Sequence, residues 1–399
     1  MNKKSVFYLP QLDGLRFIAF LMILLVHAPV FYFTTTSTEL FNFNKMINDK
    51  LQVSLNFGVD LFFCLSAFLI TTLLIVEFEK KGTFSVGNFL LRRLLRLAPL
   101  YYLYVLFVFF VLPFLVNNPD VSPMVVSEQF SQNIKQWLLP SMLFSSNNLG
   151  FSTHFIGHLW SISLEMQIYL TLPFILYYFL SKEVLDQKKK ALGLVKLLFL
   201  LLLFTNSLKI IYILWGFNHP VIYLKTLTRL DPFIIGSLIA IKYKYFPEIK
   251  IPFQLLSAAI LLCLNFVLPS PFAEPNLFIP IVYLVNALGF GLVLDYLVTR
   301  PQSFLSKFFS LRPMSYLGNL TYGLYIFHVL SLYITSKLFE HFELPIVDWF
   351  WLLFIVMSFV ITLLFSVVSY HFYENKFLRL KHRFSSVTKT EHTVLKRAI

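Results

Sequence analysis

Charge is scarce in this chain: of 399 residues only 13% are Asp, Glu, Lys or Arg, while 57% are apolar. A soluble domain of this length does not carry so little charge, so composition alone excludes one and points to a polytopic membrane protein. Cysteine is scarcer still, and Cys64 and Cys263 both fall inside apolar runs. They are expected as small hydrophobes rather than as a disulfide or metal ligands. The marks of common soluble enzymes are missing as well, with no G-x-S-x-G, P-loop, H-E-x-x-H or paired C-x-x-C. A serine hydrolase or zinc peptidase would have to be built from nothing recognisable. No internal repeat, low-complexity tract or appended soluble domain stands out, and the basic N-terminus lacks a small-residue cleavage site after its first apolar run, so that run reads as a retained helix.

What is present is a succession of apolar runs of about 18 or more residues, the length that spans a bilayer as a helix. Ten are expected, at 15–34, 57–77, 97–116, 158–180, 192–215, 228–245, 252–269, 277–298, 316–337 and 349–371, the fifth interrupted by Asn206 and Lys209. The fold class is therefore all-α, a polytopic transmembrane helix bundle of about ten spans, treated as one domain over 1–375 with a basic cytoplasmic tail over 376–399. Charge sorts in the same way. Ten spans put Lys3 and Lys4, Lys80 to Arg96, Lys182 to Lys190, Lys242 to Lys250, Arg300 to Arg312 and the tail on one side, leaving little more than Lys45, Lys50, Lys135, Lys225 and Lys337 opposite. Cytoplasmic loops are the basic ones, so both termini are expected in the cytoplasm. The net charge of +13 is then a topology signal and calls for no nucleic acid.

Ionisable residues within apolar runs carry the functional reading, because burial there costs several kcal/mol unless something compensates. On the first run, LDGLRFIAFLMILLVHA, Arg16 and His27 are eleven residues apart. A helix returns His27 to within about 20° of the Arg16 face, roughly 16 Å further along. A histidine so placed either hydrogen-bonds a neighbouring helix or does chemistry. Arg93 and Arg96, three apart and flanked by Arg92, are neighbours on a helix. Such a fork suits either lipid headgroups or the phosphates of a ligand. Asp60 opens the second span, His158 and Glu165 the fourth, and Arg229 with Asp231 the sixth. Measured along their helices, Glu165, His27 and His328 come to about one depth, some 10 Å below the outer surface. A shared polar cavity is expected there, with a carboxylate beside an imidazole, or else a buried network that ties helices together; Arg229 and Asp231 read as a candidate ion pair. Two outer stretches, 35–56 and 117–157, are long enough to recognise an acceptor or cover a cavity mouth, the second with an apolar patch from Trp137 to Phe144.

Taken in order, LPQLDGLRFIAFLMILLVH, FGVDLFFCLSAFLIT, FLLRRLLRLAPLYY, HLWSISLEMQIYL, RLDPFIIGSLIA, SYLGNLTYGLYIFH and SYHFYENKFLR resemble the motifs of the acyltransferase-3 family of integral membrane proteins. That resemblance covers nearly the whole chain. It implies transfer of an acyl group, usually acetyl, from cytoplasmic acyl-coenzyme A as co-substrate to a hydroxyl of a surface carbohydrate, lipid-linked glycan or glycolipid, in a multi-pass protein of the bacterial plasma membrane in contact with lipid. It implies His27, with Glu165 and Asp60, as the catalytic set and Arg16, Arg93 and Arg96 as the donor-binding set. His158, Arg229, Asp231, Tyr322 and His328 complete the candidate polar positions, no metal is required, and no tightly bound cofactor is expected. Two positions depart from the family pattern: Ala67 stands for a glycine, and Met166 for the second acid of a Glu-Glu pair. A transporter or flippase of glycan precursors, or a non-catalytic partner of a polysaccharide synthase, is the alternative from another class.

Overall fold

In the computed structural model the described residues are 8–32, 45–115, 134–148, 155–181, 186–271, 277–344, 348–381 and Phe384, and no strand occurs among them. The principal helices are α1 (Pro10–Tyr32), α2 (Lys45–Asn56), α3 (Gly58–Lys81), α4 (Val86–Phe110), α5 (Trp160–Leu180), α6 (Gln187–Leu214), α7 (Asp231–Tyr245), α8 (Gln254–Cys263), α9 (Ile279–Thr299), α10 (Arg312–His341) and α11 (Asp348–Ser369). Their ends follow local chemistry. Gly82 stops α3 in the left-handed conformation (φ 73°), where a side chain would be strained. Ser85 then starts α4 by accepting from the Asn88 backbone N–H, and Asp186 does the same for Lys188 at the start of α6.

Among the described residues eight helices are long and apolar enough to cross a membrane: Pro10–Pro29, Lys50–Lys81, Val86–Phe110, Gly157–Leu180, Gln187–Leu214, Ile279–Thr299, Arg312–His341 and Phe350–Leu380. The sixth and seventh expected runs are helices too, but short ones: α7 has 15 residues, and α8 with its following turn ends at Phe266. Fifteen residues rise about 22 Å, less than the hydrocarbon thickness of about 30 Å, and hydropathy counts apolar residues without measuring helix length. The last span continues as helix past Ser369 to Lys381; the rest of the expected tail, 382–399, lies outside the described residues apart from Phe384.

Helix faces sort by what covers them. Phe199, Leu200, Leu203 and Leu214 on α6 and Leu352, Val356, Leu364 and Val368 on α11 are exposed, a set of apolar faces that hydrocarbon would cover. Cys64 is buried in the core, whereas Cys263 lies exposed on α8 and not in the interior. The interior of the bundle is built on α3 against α7 and on α1 against α10. Both contacts need glycine, since a Cβ at Gly236 of α7 would lie 2.2 Å from the Cys64 carbonyl oxygen and one at Gly318 of α10 would lie 2.1 Å from that of Asp13. Backbones brought this close are the usual basis of helix association in lipid. Ala67, which stands where the family pattern has glycine, is fully buried on α3 and faces Gly236, so a glycine on the partner helix makes room for its methyl group.

At the basic end, Glu77 pairs with Arg92 (3.1 Å), Glu79 with Lys244 (2.6 Å) and Asp295 with Lys242 (2.8 Å), linking α3, α4, α7 and α9. Arg92 also donates to the Phe384 carbonyl. It is thus committed to holding helices, unlike its two neighbours. At the other end of α4, Tyr101 and Tyr102 donate to the carbonyls of Ser141 (2.9 Å) and Met142 (3.0 Å), and Phe144 lies against the Tyr101 ring at 4.6 Å. The patch from Trp137 to Phe144 therefore packs onto α4 through Phe144, while Leu139 and Leu143 stay exposed; of the two long connecting stretches, residues 33–44, 116–133 and 149–154 lie outside the described residues.

Candidate active site

A cavity opens between α1, α3, α4, α5 and α10. Arg16, Arg93 and Arg96 line it together with Ser66, Glu165, Tyr169 and Tyr322, and Ser161 and Tyr325 line it also. The three arginines come from two helices, brought together because α10 packs on both α1 and α4. Arg16 is held by Asp13 at 2.7 Å, one helical turn earlier. Arg93 lies over the rings of Phe89 and Tyr169, 5.2 and 5.4 Å from their centroids. Neither Arg93 nor Arg96 has a carboxylate partner among the described residues. Two guanidinium groups with no ion-pair partner among the described residues, on the wall of a cavity whose lining includes one acid, Glu165, make a place for an anion.

Glu165 occupies the same wall and accepts from the Ser66 and Tyr169 hydroxyls. This corrects the expectation of a carboxylate beside an imidazole: Glu165 is held by Ser66 and Tyr169 on the wall with the arginines, and the ring hydrogen-bonded to His27 is that of another histidine, His328. Equal depth along separate helices does not fix which way each side chain faces. Met166, in place of a second acid, points the other way and is buried in the hydrophobic core.

The histidines form a cluster of their own. His27 Nδ1 is 2.9 Å from the Ile23 carbonyl oxygen and 3.2 Å from His328 Nε2, and the two rings are 5.0 Å apart. His328 is fully buried, with its Nδ1 2.5 Å from the Tyr325 carbonyl oxygen. His158 packs edge-on against His328 at 4.9 Å and donates from Nε2 to the Ile326 carbonyl at 3.2 Å. Tyr325 joins this cluster to the cavity: its hydroxyl donates to the His158 carbonyl (2.7 Å) and sits 2.7 Å from Ser161 Oγ, while its ring is 5.4 Å from that of His328. His27, His158 and His328 do not themselves line the cavity, so the shared polar cavity expected for Glu165, His27 and His328 holds Glu165 alone of the three, with Tyr325 as the lining residue that touches His328. Tyr322, one turn earlier, lines the cavity and anchors α10 to α4 by donating to the Leu97 carbonyl.

The remaining expected residues sit elsewhere. Asp60, Arg229, Asp231 and Lys209 are all fully buried, and the pairs are Asp60 with Arg229 and Asp231 with Lys209 (2.5 Å). Arg229 and Asp231 do not pair with each other, which corrects the reading made from their proximity in sequence; Arg229 ends the turn before α7 while Asp231 opens the helix, so nearness in sequence does not aim the two side chains at one another. Arg229 also lies 4.0 and 4.5 Å from the ring centres of Tyr223 and Tyr283, a cation enclosed by aromatic faces. Asn206 donates to Asp231 at 3.0 Å, so the two polar residues that interrupted the fifth apolar run are the partners of a buried carboxylate. Asp60 does not line the cavity.

A family model, described as an acyltransferase domain, matches residues 9–371. The chain belongs to the acyltransferase-3 family. Among curated relatives of this acyltransferase-3 protein, the O-acetyltransferase OatA of Staphylococcus aureus strain NCTC 8325 / PS 47 is 26% identical over 387 residues, covering 92% of this chain and 57% of the relative. The same enzyme from strain COL matches to the same extent. The chain thus spans under three-fifths of the length of the curated relatives it matches. No solved structure matches it. Sequence reasoning missed four residues that line the cavity, Ser66, Ser161, Tyr169 and Tyr325. Each lies within a quoted motif, but none is charged, and only the cavity distinguishes it from a core hydroxyl.

Proposed function

We propose that the protein is a membrane O-acyltransferase that moves an acyl group, usually acetyl, from cytoplasmic acyl-coenzyme A to a hydroxyl of an extracytoplasmic glycan or glycolipid. The observation that carries this reading is a single cavity with unpaired Arg93 and Arg96 on its wall and with Tyr325, the neighbour of the histidine cluster, on the same wall. Donor phosphates bind the arginines, with Arg16 beside them, and the pantetheine arm runs along α10 toward His27. His27 takes the proton of the attacking hydroxyl; the new bond forms between that oxygen and the acyl carbon, the carbon–sulfur bond breaks, and the departing thiolate regains the proton. Family membership and relatives named as O-acetyltransferases favour this chemistry over a flippase. Comparing the acylation of total surface glycan by mass spectrometry, in cells with and without the protein, tests it directly. Identical acylation in the two strains would refute it.

The setting follows from the same reading: a multi-pass protein of the bacterial plasma membrane, with both termini cytoplasmic and the short helices α7 and α8 completing ten crossings. A topology reporter fused after Ile399 is then expected to read as cytoplasmic and one inserted at Asn118 as external. Two reporters on one side would rule out this arrangement.

Donor binding is separable from chemistry. A charge-assisted hydrogen bond is worth about 1.5 to 3 kcal/mol, so Arg96→Ala is expected to raise the half-saturating acetyl-coenzyme A concentration roughly 10-fold to 100-fold. The rate at saturation should change much less, because the phosphates are held alike in ground and transition states. Arg93→Lys keeps the charge but not the planar fork, and is expected to show the same defect. Donor titrations in inside-out vesicles provide the measurement, and half-saturation unchanged in both variants would remove the arginines from the donor site.

A further inference from the structure

We infer that His328 is a positioning residue that holds His27 in one tautomer, with the proton on Nδ1, and so makes Nε2 the reactive nitrogen. The inference rests on the proposed role of His27 as general base and adds which atom acts and what selects it.

Two carbonyl groups, which can only accept, fix where the protons lie. His328 Nδ1 stands 2.5 Å from the Tyr325 carbonyl oxygen, so that nitrogen carries the proton. A neutral His328 then has a bare lone pair on Nε2. That lone pair is 3.2 Å from His27 Nδ1, which also stands 2.9 Å from the Ile23 carbonyl oxygen. Both neighbours of His27 Nδ1 are acceptors, and only a hydrogen on Nδ1, shared between them in a three-centre bond, serves either one. The opposite tautomer would set lone pair against lone pair at two contacts. Nε2 of His27 is thereby left unprotonated, and it has no hydrogen-bond partner among the described residues. A free lone pair on a ring held from its other nitrogen is the arrangement a general base needs.

The surroundings keep His328 in this pose. Its ring is fully buried, with His158 edge-on at 4.9 Å, Tyr325 at 5.4 Å and Phe20 edge-on at 6.3 Å. His158 is itself pinned through its Nε2 to Ile326. His328 therefore does for His27 what a buried carboxylate does for the base of a serine protease, but with a neutral acceptor and with no charge added inside the membrane.

Two substitutions separate positioning from packing. His328→Phe keeps a flat ring and removes both nitrogens; His328→Gln restores an oxygen that can accept from His27 Nδ1. Transfer from isotope-labelled acetyl-coenzyme A to glycan in vesicles of the expressing strain is expected to fall roughly 100-fold in the rate at saturation for His328→Phe, with half-saturation by the donor within about twofold of wild type. His328→Gln is expected to recover to within about tenfold of wild type. Full activity in His328→Phe, or equal loss in both variants, would overturn the inference. Nitrogen NMR of histidine-labelled full-length protein in lipid nanodiscs reads the tautomer without any reaction, with the His27 signal assigned by its loss in His27→Ala. A proton on Nε2 rather than Nδ1 would overturn the inference even if His27 proves essential. Conversely, an active His27→Ala would overturn the base assignment itself, whichever nitrogen carries the proton.

Discussion

His27→Ala is expected to lower acyl transfer by about two to four orders of magnitude while the protein accumulates normally, because general-base assistance has that size and alanine is an excellent helix former. The structural cost is small. His27 is only partly buried and its polar contacts are the Ile23 carbonyl and His328 Nε2. Removing it leaves one buried nitrogen without a partner, worth about 1 to 3 kcal/mol. Donor half-saturation should be nearly unaffected, since the arginines are untouched. Protein level, donor titration and label in extracted glycan together check the prediction, and acylation at the wild-type rate would take His27 out of the mechanism.

The second large effect falls on stability. Arg229→Met is expected to destabilise the protein by about 3 to 5 kcal/mol, because it strands Asp60 as a buried and unpaired carboxylate. It also removes the cation enclosed by Tyr223 and Tyr283. Replacing both members, Asp60→Leu with Arg229→Met, should restore most of the loss, since a buried pair exchanged for apolar groups of similar volume is often neutral. Thermal unfolding in detergent measures all three variants. A single Arg229→Met variant that melts like wild type would show that the pair does not hold α3 to the segment preceding α7. The consequence reaches the site, because α3 also carries Phe62 and Ser66 to the cavity wall.

These predictions mark where the chain could be read in advance. The apolar runs gave helices at every expected position, since the bilayer requires every backbone hydrogen bond to be satisfied, but two of them, α7 and α8, fall short of the length of a span. That Arg16 and His27 share one helix was legible because the apolar run between them is unbroken. Arg93 and Arg96 were legible for the same reason, though Arg92 beside them is engaged with Glu77 and the Phe384 carbonyl. The motif pattern identified the family across 9–371. Lys209, by contrast, looked like a flaw in a span and is the buried partner of Asp231.

What sequence alone determined about this protein is therefore everything that depends on local periodicity and composition: helices, apolar faces, charge asymmetry and the identities of the ionisable residues. Which of those residues meet was decided only by the tertiary structure. His27 finds His328 across 301 residues of chain, and Asp60 finds Arg229 across 169. Those pairings depend on which faces two helices turn toward each other, and that is set by close backbone contacts such as Gly236 on Cys64 and Gly318 on Asp13. A rotation of one residue, 100° about a helix axis, would place a different side chain at each contact, and a single sequence gives no measure of that rotation.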